Sequence, residues 1–306
     1  MIEYQLLNGM DGVEFVIYDK KTGRKGMQAI RQQFKAQRFD VLCVMQIALR
    51  ANLLSRAIRA KVRLGFDKSR SKEGHSLFIN QRIARQQHPH VLEGFMAFAD
   101  AMGIAPVEKP TWQLPLSESD LAKGISLKQQ YGRYAVICPA ASKVERNWTA
   151  EGYAAAAKHL ADKNIPVLLC GGPGPLDRTI GDAILAAGAP VEADLIGTTT
   201  LKELAGVLAE ASLVIAPDTG PAHMATAVST PVIGLYAHSN PRRTGPYNNL
   251  ADVVSVYDEC IEQQAGKPWQ ALPWGRRAKG EALMTQITTA QVNTTIDSVL
   301  NHENGG

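Results

Sequence analysis

An apolar run from Leu213 to Ala216 ends in the turn Asp218-Thr219-Gly220, and a stretch of small residues begins at Pro221. This order predicts a strand that passes through a tight turn directly into a helix. Backbone N–H groups at a helix N-terminus, together with the helix dipole, favour a bound phosphate. Thr219 adds a hydroxyl donor, and Gly220 lets an anion approach the backbone closely. The alternative is an ordinary strand-to-helix turn with Asp218 or Thr219 as the N-cap.

A second loop with cationic side chains follows another apolar run, the one from Tyr134 to Cys138. Pro139 ends that run, Ser142 and Lys143 come shortly after it, and Arg146 follows one turn later. One hydroxyl and two cations beside a helix N-terminus suit a diphosphate, which carries about two negative charges. A solvated basic loop explains these residues equally well when the loop is considered alone. Taken together, the two loops predict an anion-binding site in the C-terminal half.

A third loop, Gly-Gly-Pro-Gly at residues 171–174, also follows a short apolar run. It does not match the GxGxxG fingerprint, so no nicotinamide or other cofactor is predicted. Gly171 and Gly172 leave room for a nucleoside ring or a ribose, and Asp177 is close enough in sequence to accept hydrogen bonds from ribose hydroxyls. Asp177 is equally well explained as a first-turn acid that the helix dipole favours.

Strands and helices alternate regularly through the C-terminal half. Helices are predicted to begin near Thr149, Pro175, Thr200 and Pro221, and Thr200 with Glu203 has the spacing of a capping box. Continuous apolar strands that alternate with helices predict an α/β fold with a parallel sheet covered on both faces. Ligands of such sheets bind beyond the carboxyl ends of the strands, which is where all three loops fall.

The N-terminal part is less regular. Strands are predicted from Phe15 to Tyr18 and from Val41 to Met45, with a basic helix between them and a longer helix from Ile47 to Ala60. The segment from Arg50 to Lys72 carries eight basic residues against one acid, Asp67. A solvated helix face is the usual explanation of such a run. The excess of positive charge also suits a phosphorylated or carboxylated partner, or a peripheral contact, at an anionic membrane surface.

The length of 306 residues predicts two domains. We place an N-terminal domain at residues 1–125, a second domain at residues 126–282 and a final helix within residues 283–306, with the Pro-rich stretch 103–132 as the linker. The net charge of +4 is too small to indicate nucleic acid as a partner. Four scattered cysteines without ligand spacing predict neither a disulfide framework nor a metal site, and favour a cytoplasmic location.

In these motifs the chain resembles glycosyltransferase family 9, the ADP-heptose:lipopolysaccharide heptosyltransferases. The resemblance is carried by residues 139–143 with Asn147 and Trp148, by the loop 171–174 and by the Asp-Thr-Gly-x-x-His element from Asp218 to His223. The segment from Tyr236 to Tyr247 also resembles the family's loop after the following strand. Similarity runs through most of the chain, including residues 62–67.

The resemblance implies a GT-B architecture, in which two Rossmann-like, doubly wound domains face a cleft and the last helix packs back on the N-terminal domain. It also implies a metal-independent enzyme whose C-terminal domain holds the nucleotide sugar. The residues that it assigns to the donor diphosphate are Ser142, Lys143, Arg146, Thr219, Gly220 and Pro221. Those that it assigns to the donor sugar are Asp218 and His223, and those near the nucleoside and ribose are Gly171, Gly172 and Asp177.

The N-terminus departs from the family pattern. Members begin with a strand and a Gly-Asp loop whose Asp is the proposed catalytic base, and this sequence has no such pair after an N-terminal strand. Gly181-Asp182 lies instead within a predicted helix of the second domain. We therefore assign no catalytic residue and expect an N-terminal domain that lacks its first strands, through truncation rather than through loss of the base.

The leading functional hypothesis is an inverting glycosyltransferase that moves heptose from ADP-heptose to a lipopolysaccharide inner-core acceptor. An alternative is a non-catalytic protein that binds a nucleotide sugar and has lost the catalytic base. A third possibility is an epimerase-like GT-B enzyme acting on a UDP-sugar, which would need a uridine pocket and an acid pair that the sequence does not reveal.

Overall fold

The computed structural model describes residues 2–304, without the side chains of Glu303 and Asn304. The chain divides into a smaller unit, from Glu14 to Glu108, and a larger unit made of the described residues on either side of that segment. The division therefore falls at residue 108, whereas the predicted boundary was at residue 125. The short N-terminal helix α1 (Ile2–Leu7) belongs to the larger unit.

The smaller unit contains a parallel three-stranded sheet in the order β1-β2-β3. Its elements are α2 (Gly23–Gln33), β1 (Phe39–Val44), α3 (Leu49–Ser55), β2 (Ala60–Gly65), β3 (Gln81–Arg82) and α4 (Val91–Ala101). The strand predicted from Phe15 to Tyr18 is wrong, because these residues pair with no strand of this sheet. A small core of Leu64, Ile83, Ala97 and Phe98 joins the sheet to α4.

The basic segment from Arg50 to Lys72 does not form one helix face. The predicted long helix ends at Ser55, and the segment continues through a turn, strand β2 and a loop. Arg63 points into the unit and is partly buried, while Arg70 forms an ion pair with Asp67. The charge of the segment is therefore spread over several surfaces.

The larger unit is a parallel six-stranded sheet in the order β6-β5-β4-β7-β8-β9. Its first elements are α5 (Glu118–Tyr131), β4 (Ala135–Ile137), α6 (Ala150–Ala161), β5 (Val167–Leu169), α7 (Pro175–Ala186), β6 (Ala193–Asp194), α8 (Leu201–Ala209) and β7 (Leu213–Pro217). They are followed by α9 (Gly220–Ala227), β8 (Val232–Tyr236), α10 (Pro241–Thr244), β9 (Val254–Ser255), α11 (Tyr257–Ala265) and α12 (Thr289–Asn304). The predicted alternation of strands and helices is confirmed in this unit.

Successive side chains of each strand point to opposite faces of the sheet and pack into two separate cores. Ala135 and Ile137 of β4 pack with Tyr153 of α6 on one face of the sheet, and Val136 packs with Leu208 of α8 on the other. The central strands β7 and β8 are buried along their whole length. Helices therefore cover both faces, as continuous apolar strands require.

The predicted helix starts are set by side-chain caps. Thr149 accepts a hydrogen bond from the Gly152 N–H, and Thr200 and Glu203 form the predicted capping box at the start of α8. Each cap satisfies backbone donors that the first helical turn leaves unpaired. These local signals set where α6 and α8 begin, and therefore where the loop after β4 and the segment after β6 end.

The predicted linker at residues 103–132 is wrong over its second half, which forms the 14-residue helix α5. Ser117 and Asp120 form a capping box at its start, and α5 packs closely on α8. A Cβ atom on Gly124 would lie 2.2 Å from the carbonyl oxygen of Gly206, so the two backbones meet directly. The tight contact between these helices explains why a Gly-containing, polar sequence is ordered here.

The last helix, α12, packs on α6, β8 and β9 of the larger unit. Val292, Ile296, Val299 and Leu300 are buried in that unit's core. The packing of this helix on the N-terminal domain, which the resemblance implied, stays a prediction. Among the described residues, no helix is long and apolar enough to cross a membrane.

Candidate active site

The site is built where the chain changes direction across the sheet. From β4 the chain moves outward through β5 and β6, and then returns to β7 on the other side of β4. Residues Ile137 of β4 and Ile215 of β7 are register partners, so the loops after these strands leave the same edge side by side. A crevice outside the carboxyl ends of strands at such a switch point is the usual ligand site of open α/β sheets.

The two loops predicted to bind an anion meet at this switch point. Thr219 Oγ1 donates a hydrogen bond to the carbonyl oxygen of Ala140 at 3.3 Å. Thr219 is also the N-cap of α9, although its side chain makes no capping hydrogen bond. Because this hydroxyl reaches across to the other loop rather than to its own helix, the alternative of a simple Thr219 cap is not supported.

Arg146 makes the second link between the loops. Its Nη1 donates to the backbone oxygen of Asp218 at 3.0 Å and lies 3.5 Å from Oδ2 of the same residue. Both side chains are largely buried, with 18% and 11% of their surface exposed. Arg146 Nε is buried and has no hydrogen-bond partner. The guanidinium therefore keeps a donor available at the crevice.

The first loop is held at its base, while its tip is open. Asn147 Oδ1 accepts a hydrogen bond from the Ala141 N–H at 2.7 Å, which closes the loop on itself. Trp148 is buried and donates to the Ile287 carbonyl at 3.0 Å. Ser142 and Lys143, between these anchors, are exposed. The predicted phosphate ligands thus stand on a supported loop with their side chains in solvent.

A cavity of about 140 Å³ lies beside the Arg146–Asp218 pair. It is lined by Arg146, Asp218, His223, Ser239, Asn240, Arg243, Thr244, Gly275, Arg276 and Arg277. Three of the predicted site residues, Arg146, Asp218 and His223, are therefore together. In the described part of the chain, the other predicted residues lie outside this lining, on the loops around it.

The cavity is strongly cationic. Four arginines and a single carboxylate line it. Burial and the positive charge of Arg277 lower the pKa of Arg243, even though Asp218 acts in the opposite direction. Like charges at close range disfavour one another unless an anion lies between them. The crevice is therefore suited to a group with more than one negative charge.

Two histidines near the crevice have lowered pKa values, which favours the neutral form of each ring. Burial lowers the pKa of His223, and burial together with Arg146 lowers the pKa of His238. Both ring nitrogens of His238 and the hydroxyl of Ser239 are buried and have no hydrogen-bond partner in the protein. Buried polar groups of this kind are normally paired, so these atoms are free to bind a ligand or water.

The glycine loop has a different internal arrangement. Asp177, in the first turn of α7, accepts a hydrogen bond from the Gly172 N–H at 2.7 Å. A Cβ atom on Gly171 would lie 3.0 Å from the same carboxylate oxygen. One oxygen of Asp177 therefore shapes the loop, which agrees with the first-turn alternative. Its contact with a ribose stays a prediction, as does that of Gly171 and Gly172.

Several lining residues were missed by the sequence analysis. Arg243 and Thr244 come from the short helix α10, and Arg276 and Arg277 come from the segment after Trp274. Arg243 and Thr244 lie in the segment 236–247 that carries part of the family resemblance, although no role was assigned to them, and a further signal is a pair of Arg-Arg dipeptides, at residues 242–243 and 276–277. Of the first dipeptide only Arg243 lines the cavity. Arg242 instead makes a bidentate ion pair with Asp258 at 2.8 Å. Gly181-Asp182 lies in helix α7, where Asp182 pairs with Arg178.

A parallel α/β sheet with a cationic crevice at its switch point is typical of proteins that bind a phosphate-bearing ligand. Residues 27–274 match glycosyltransferase family 9 (heptosyltransferase), and the chain belongs to that family. It is 43% identical over 290 residues to the lipopolysaccharide core heptosyltransferase OpsX of Haemophilus influenzae, which covers 95% of this chain and 83% of the relative. The predicted family is thus confirmed, and the chain is a transferase.

Solved structures confirm the predicted GT-B type of α/β fold. A glycosyltransferase family 9 protein of Veillonella parvula superposes with a TM-score of 0.69 at 17% identity, over 93% of this chain and 80% of that one. The Escherichia coli heptosyltransferase WaaC with ADP superposes with a TM-score of 0.64 at 25% identity, over 90% of this chain and 78% of that one.

Proposed function

We propose that this protein transfers heptose from ADP-heptose to a lipopolysaccharide inner-core acceptor, with inversion at the anomeric carbon. The observation that carries the proposal is the meeting of two anion-suited loops at the switch point, tied together by Arg146 and Asp218. The names of the relatives support the sugar and the acceptor class, since OpsX is a lipopolysaccharide core heptosyltransferase and WaaC was solved with ADP.

In the proposed reaction, an acceptor hydroxyl gives its proton to a carboxylate general base and its oxygen attacks the anomeric carbon, while the bond to the diphosphate breaks and ADP leaves. Negative charge develops on the leaving diphosphate. The N-terminus of α9 at Gly220 and Pro221 and the side chains of Ser142, Lys143 and Arg146 would stabilise that charge without a metal ion. The Thr219 hydroxyl has a single proton, so it would join them by exchanging its hydrogen bond to the Ala140 carbonyl for one to the diphosphate. No residue of this chain is assigned as the base.

The donor sugar would lie between Asp218 and His223, which line the same cavity. The carboxylate can accept hydrogen bonds from sugar hydroxyls, and the neutral imidazole can donate or accept one. The nucleoside would lie toward Gly171, Gly172 and Asp177, at the carboxyl end of the neighbouring strand β5.

We also propose a cytoplasmic location with a peripheral contact between the inner membrane and the basic segment from Arg50 to Lys72. The support is the set of basic side chains that stay exposed in this segment, such as Arg56, Arg59 and Lys61, which anionic lipid headgroups attract. An acceptor anchored in the same membrane would then be presented to the enzyme at its surface.

The test combines binding and transfer. Calorimetry should show that ADP binds more tightly than UDP, and incubation with ADP-heptose and an inner-core acceptor should give a glycosylated product. NMR coupling constants of that product should show an inverted anomeric centre. Asp218→Asn should lower kcat/KM by at least about 10-fold, since hydrogen bonds to charged groups contribute about 1.5–3 kcal/mol.

Asp258→Asn is the matched control, because Asp258 is a carboxylate of the same unit that pairs with Arg242 outside the cavity. It should leave the transfer rate unchanged. Failure to bind ADP would overturn the proposal. Binding of ADP without transfer would instead support a nucleotide-sugar binding protein that has no catalytic activity.

A further inference from the structure

A second cationic cavity lies within the smaller unit. Its volume is about 490 Å³, and it is lined by Ala36, Gln37, Arg38, Arg56, Ile58, Arg59, Ala60 and Arg63. Arg38 and Arg59 immediately precede β1 and β2, so the cavity lies at the amino ends of these strands. We call it the arginine basin. Ligands of parallel α/β sheets bind at the opposite, carboxyl ends, so the basin is separate from a substrate site.

The charges of the basin are not neutralised by the protein. Four of its eight lining residues are arginines, and no carboxylate is among them. Within residues 2–304, none of the four arginines forms an ion pair. Arg70 of the same unit is paired with Asp67, so the unit does pair arginines where it uses them structurally. The basin therefore concentrates positive charge that only a ligand can balance.

Three hydrogen bonds hold the Arg63 guanidinium in place in the arginine basin. Its Nε donates to the Phe78 carbonyl at 2.8 Å, its Nη1 to the Ile58 carbonyl at 3.1 Å and its Nη2 to the Ser55 hydroxyl at 2.7 Å. Burial and the nearby Arg56 guanidinium lower the pKa of Arg63. The two cations thus repel one another across the basin, and an anion placed between them would relieve this repulsion.

Two of the other arginines, Arg56 and Arg59, are exposed but oriented. Arg56 lies over the Phe78 ring, with 5.5 Å between its Cζ and the ring centre. Arg59 Nη1 donates to the Lys35 carbonyl at 3.4 Å. Each guanidinium has five N–H donors in a flat fork, so these contacts leave most donors available. Pre-orientation lowers the loss of side-chain entropy when an anion binds.

We propose that the arginine basin binds the phosphate group of a phosphomonoester or phosphodiester. The planar forks of arginine match phosphate in bidentate geometry, and the basin's volume lies within the usual range of about 300–1,000 Å³ for small-ligand sites. The phosphate can come from a soluble metabolite or from a lipid headgroup. The inference does not depend on the proposed donor site, which belongs to the other unit. Its lipid source rests on the proposed membrane contact, since Arg56, Arg59 and Arg63 lie within the segment from Arg50 to Lys72.

The experiment measures the binding of a soluble phosphate and of a lipid phosphate to the whole protein. The soluble arm is calorimetry with sn-glycerol 3-phosphate. The lipid arm is co-sedimentation with phosphatidylcholine vesicles with and without phosphatidylglycerol. The test variant is Arg56→Gln/Arg59→Gln, which leaves the buried hydrogen bonds of Arg63 intact. Removing two arginines should weaken binding to the favoured source by about 30-fold, at about tenfold per 1.4 kcal/mol and about 1 kcal/mol per arginine.

The matched control is Arg24→Gln/Lys25→Gln, which removes two exposed charges from α2 of the same unit. An equal loss in the control would show that only net charge matters and would overturn the proposal. So would the absence of binding to both probes. Loss in the soluble arm assigns a metabolite, and loss only with phosphatidylglycerol assigns a headgroup.

Arg38→Gln, a single change on an exposed loop, repeats the test if the double variant fails to fold. The failure of the proposed function is measured separately. Binding of ADP to the basin variants should stay normal, because every residue proposed for the donor lies in the larger unit. A basin that binds nothing and a protein that does not bind ADP are thus different results.

Discussion

Arg146 donates a hydrogen bond to the backbone oxygen of Asp218 at 3.0 Å and also lies 3.5 Å from its carboxylate. One side chain thus joins the loop after β4 to the loop after β7, across the point where the strand order reverses. The pair places a cation and an acid next to each other at the mouth of a cavity that is otherwise lined by cations. The geometry of the proposed donor site depends on this link.

Arg146→Ala should weaken ADP binding by about 10- to 100-fold, because it removes a charged hydrogen bond of about 1.5–3 kcal/mol and frees the two loops. Arg146→Lys should recover only part of the loss, since a lysine lacks the planar fork. Calorimetry with ADP measures both. Lys158→Ala, which breaks a solvent-exposed ion pair with Asp162, is the control and should bind ADP normally. Normal binding by Arg146→Ala would mean that the link is not part of the donor site.

Gly220→Val should abolish ADP binding while leaving the protein folded. A Cβ atom at this position would meet no atom within 4 Å, so the protein itself has room for a side chain there. The added bulk would occupy the space in front of the N-terminus of α9, where we place the diphosphate. The measurements are the thermal midpoint, which should change little, and calorimetric ADP binding. Unchanged ADP binding would remove this motif from the site.

Lys143→Ala should weaken the binding of ADP by about 10-fold and that of adenosine hardly at all, because its ammonium group is assigned to the diphosphate. Lys143 is exposed on the open tip of its loop, so the substitution should not affect folding. Calorimetric titrations with the two ligands give the comparison directly. Equal losses for both ligands would assign Lys143 to general packing instead.

Acidification should destabilise the smaller unit through His75. Its ring is fully buried, with Nδ1 2.7 Å from Asn52 Oδ1, and Nε2 accepts from the Phe66 N–H at 3.1 Å. Burial, with a contribution from Arg82, lowers the pKa of His75. The unfolded chain then binds a proton near its ordinary pKa of about 6.5 while the folded state does not. Stability is therefore complete above about pH 6.5 and falls below it, by at most about 1.4 kcal/mol per pH unit.

Hydrogen exchange of the Phe66 amide at about pH 7.5 and about pH 5.5, corrected for intrinsic exchange, measures this effect. His75→Gln should flatten the pH dependence, because glutamine does not titrate in this range. His302→Ala changes an exposed residue of α12 and should leave the dependence as it is. The same dependence in His75→Gln and in the unaltered protein would contradict the prediction.

Gly206→Ala should lower the free energy of unfolding by about 1–3 kcal/mol, the usual cost of overpacking. Its Cβ atom would lie 2.3 Å from the carbonyl oxygen of Asp120, where backbone faces backbone and no side chain can move aside. Chemical denaturation gives the value. Ser126→Ala on the exposed surface of α5 is the control and should be neutral or slightly stabilising. A neutral Gly206→Ala would show that α5 and α8 can separate without loss.

The sequence by itself determined the alternating core of the larger unit and the positions of its loops. Caps such as Thr149 and Thr200 act over three residues, and apolar strands such as β7 differ from helices by their short, continuous runs. These signals are local, so they can be recognised without knowing how the rest of the chain folds. They were enough to identify Asp218 and Arg146 as candidate site residues at strand ends.

Only the tertiary structure decided which distant segments share a cavity and which irregular segments are ordered. In the sequence, nothing distinguishes Arg243 and Arg277 from Arg242, which pairs with Asp258. Only packing separates the arginines that line the cavity from those that pair with surface carboxylates. Helix α5 likewise depends on Gly124 meeting Gly206 across two helices. Such contacts join residues far apart in the chain, and their energies come from packing and charge in three dimensions, which no local pattern of residues encodes.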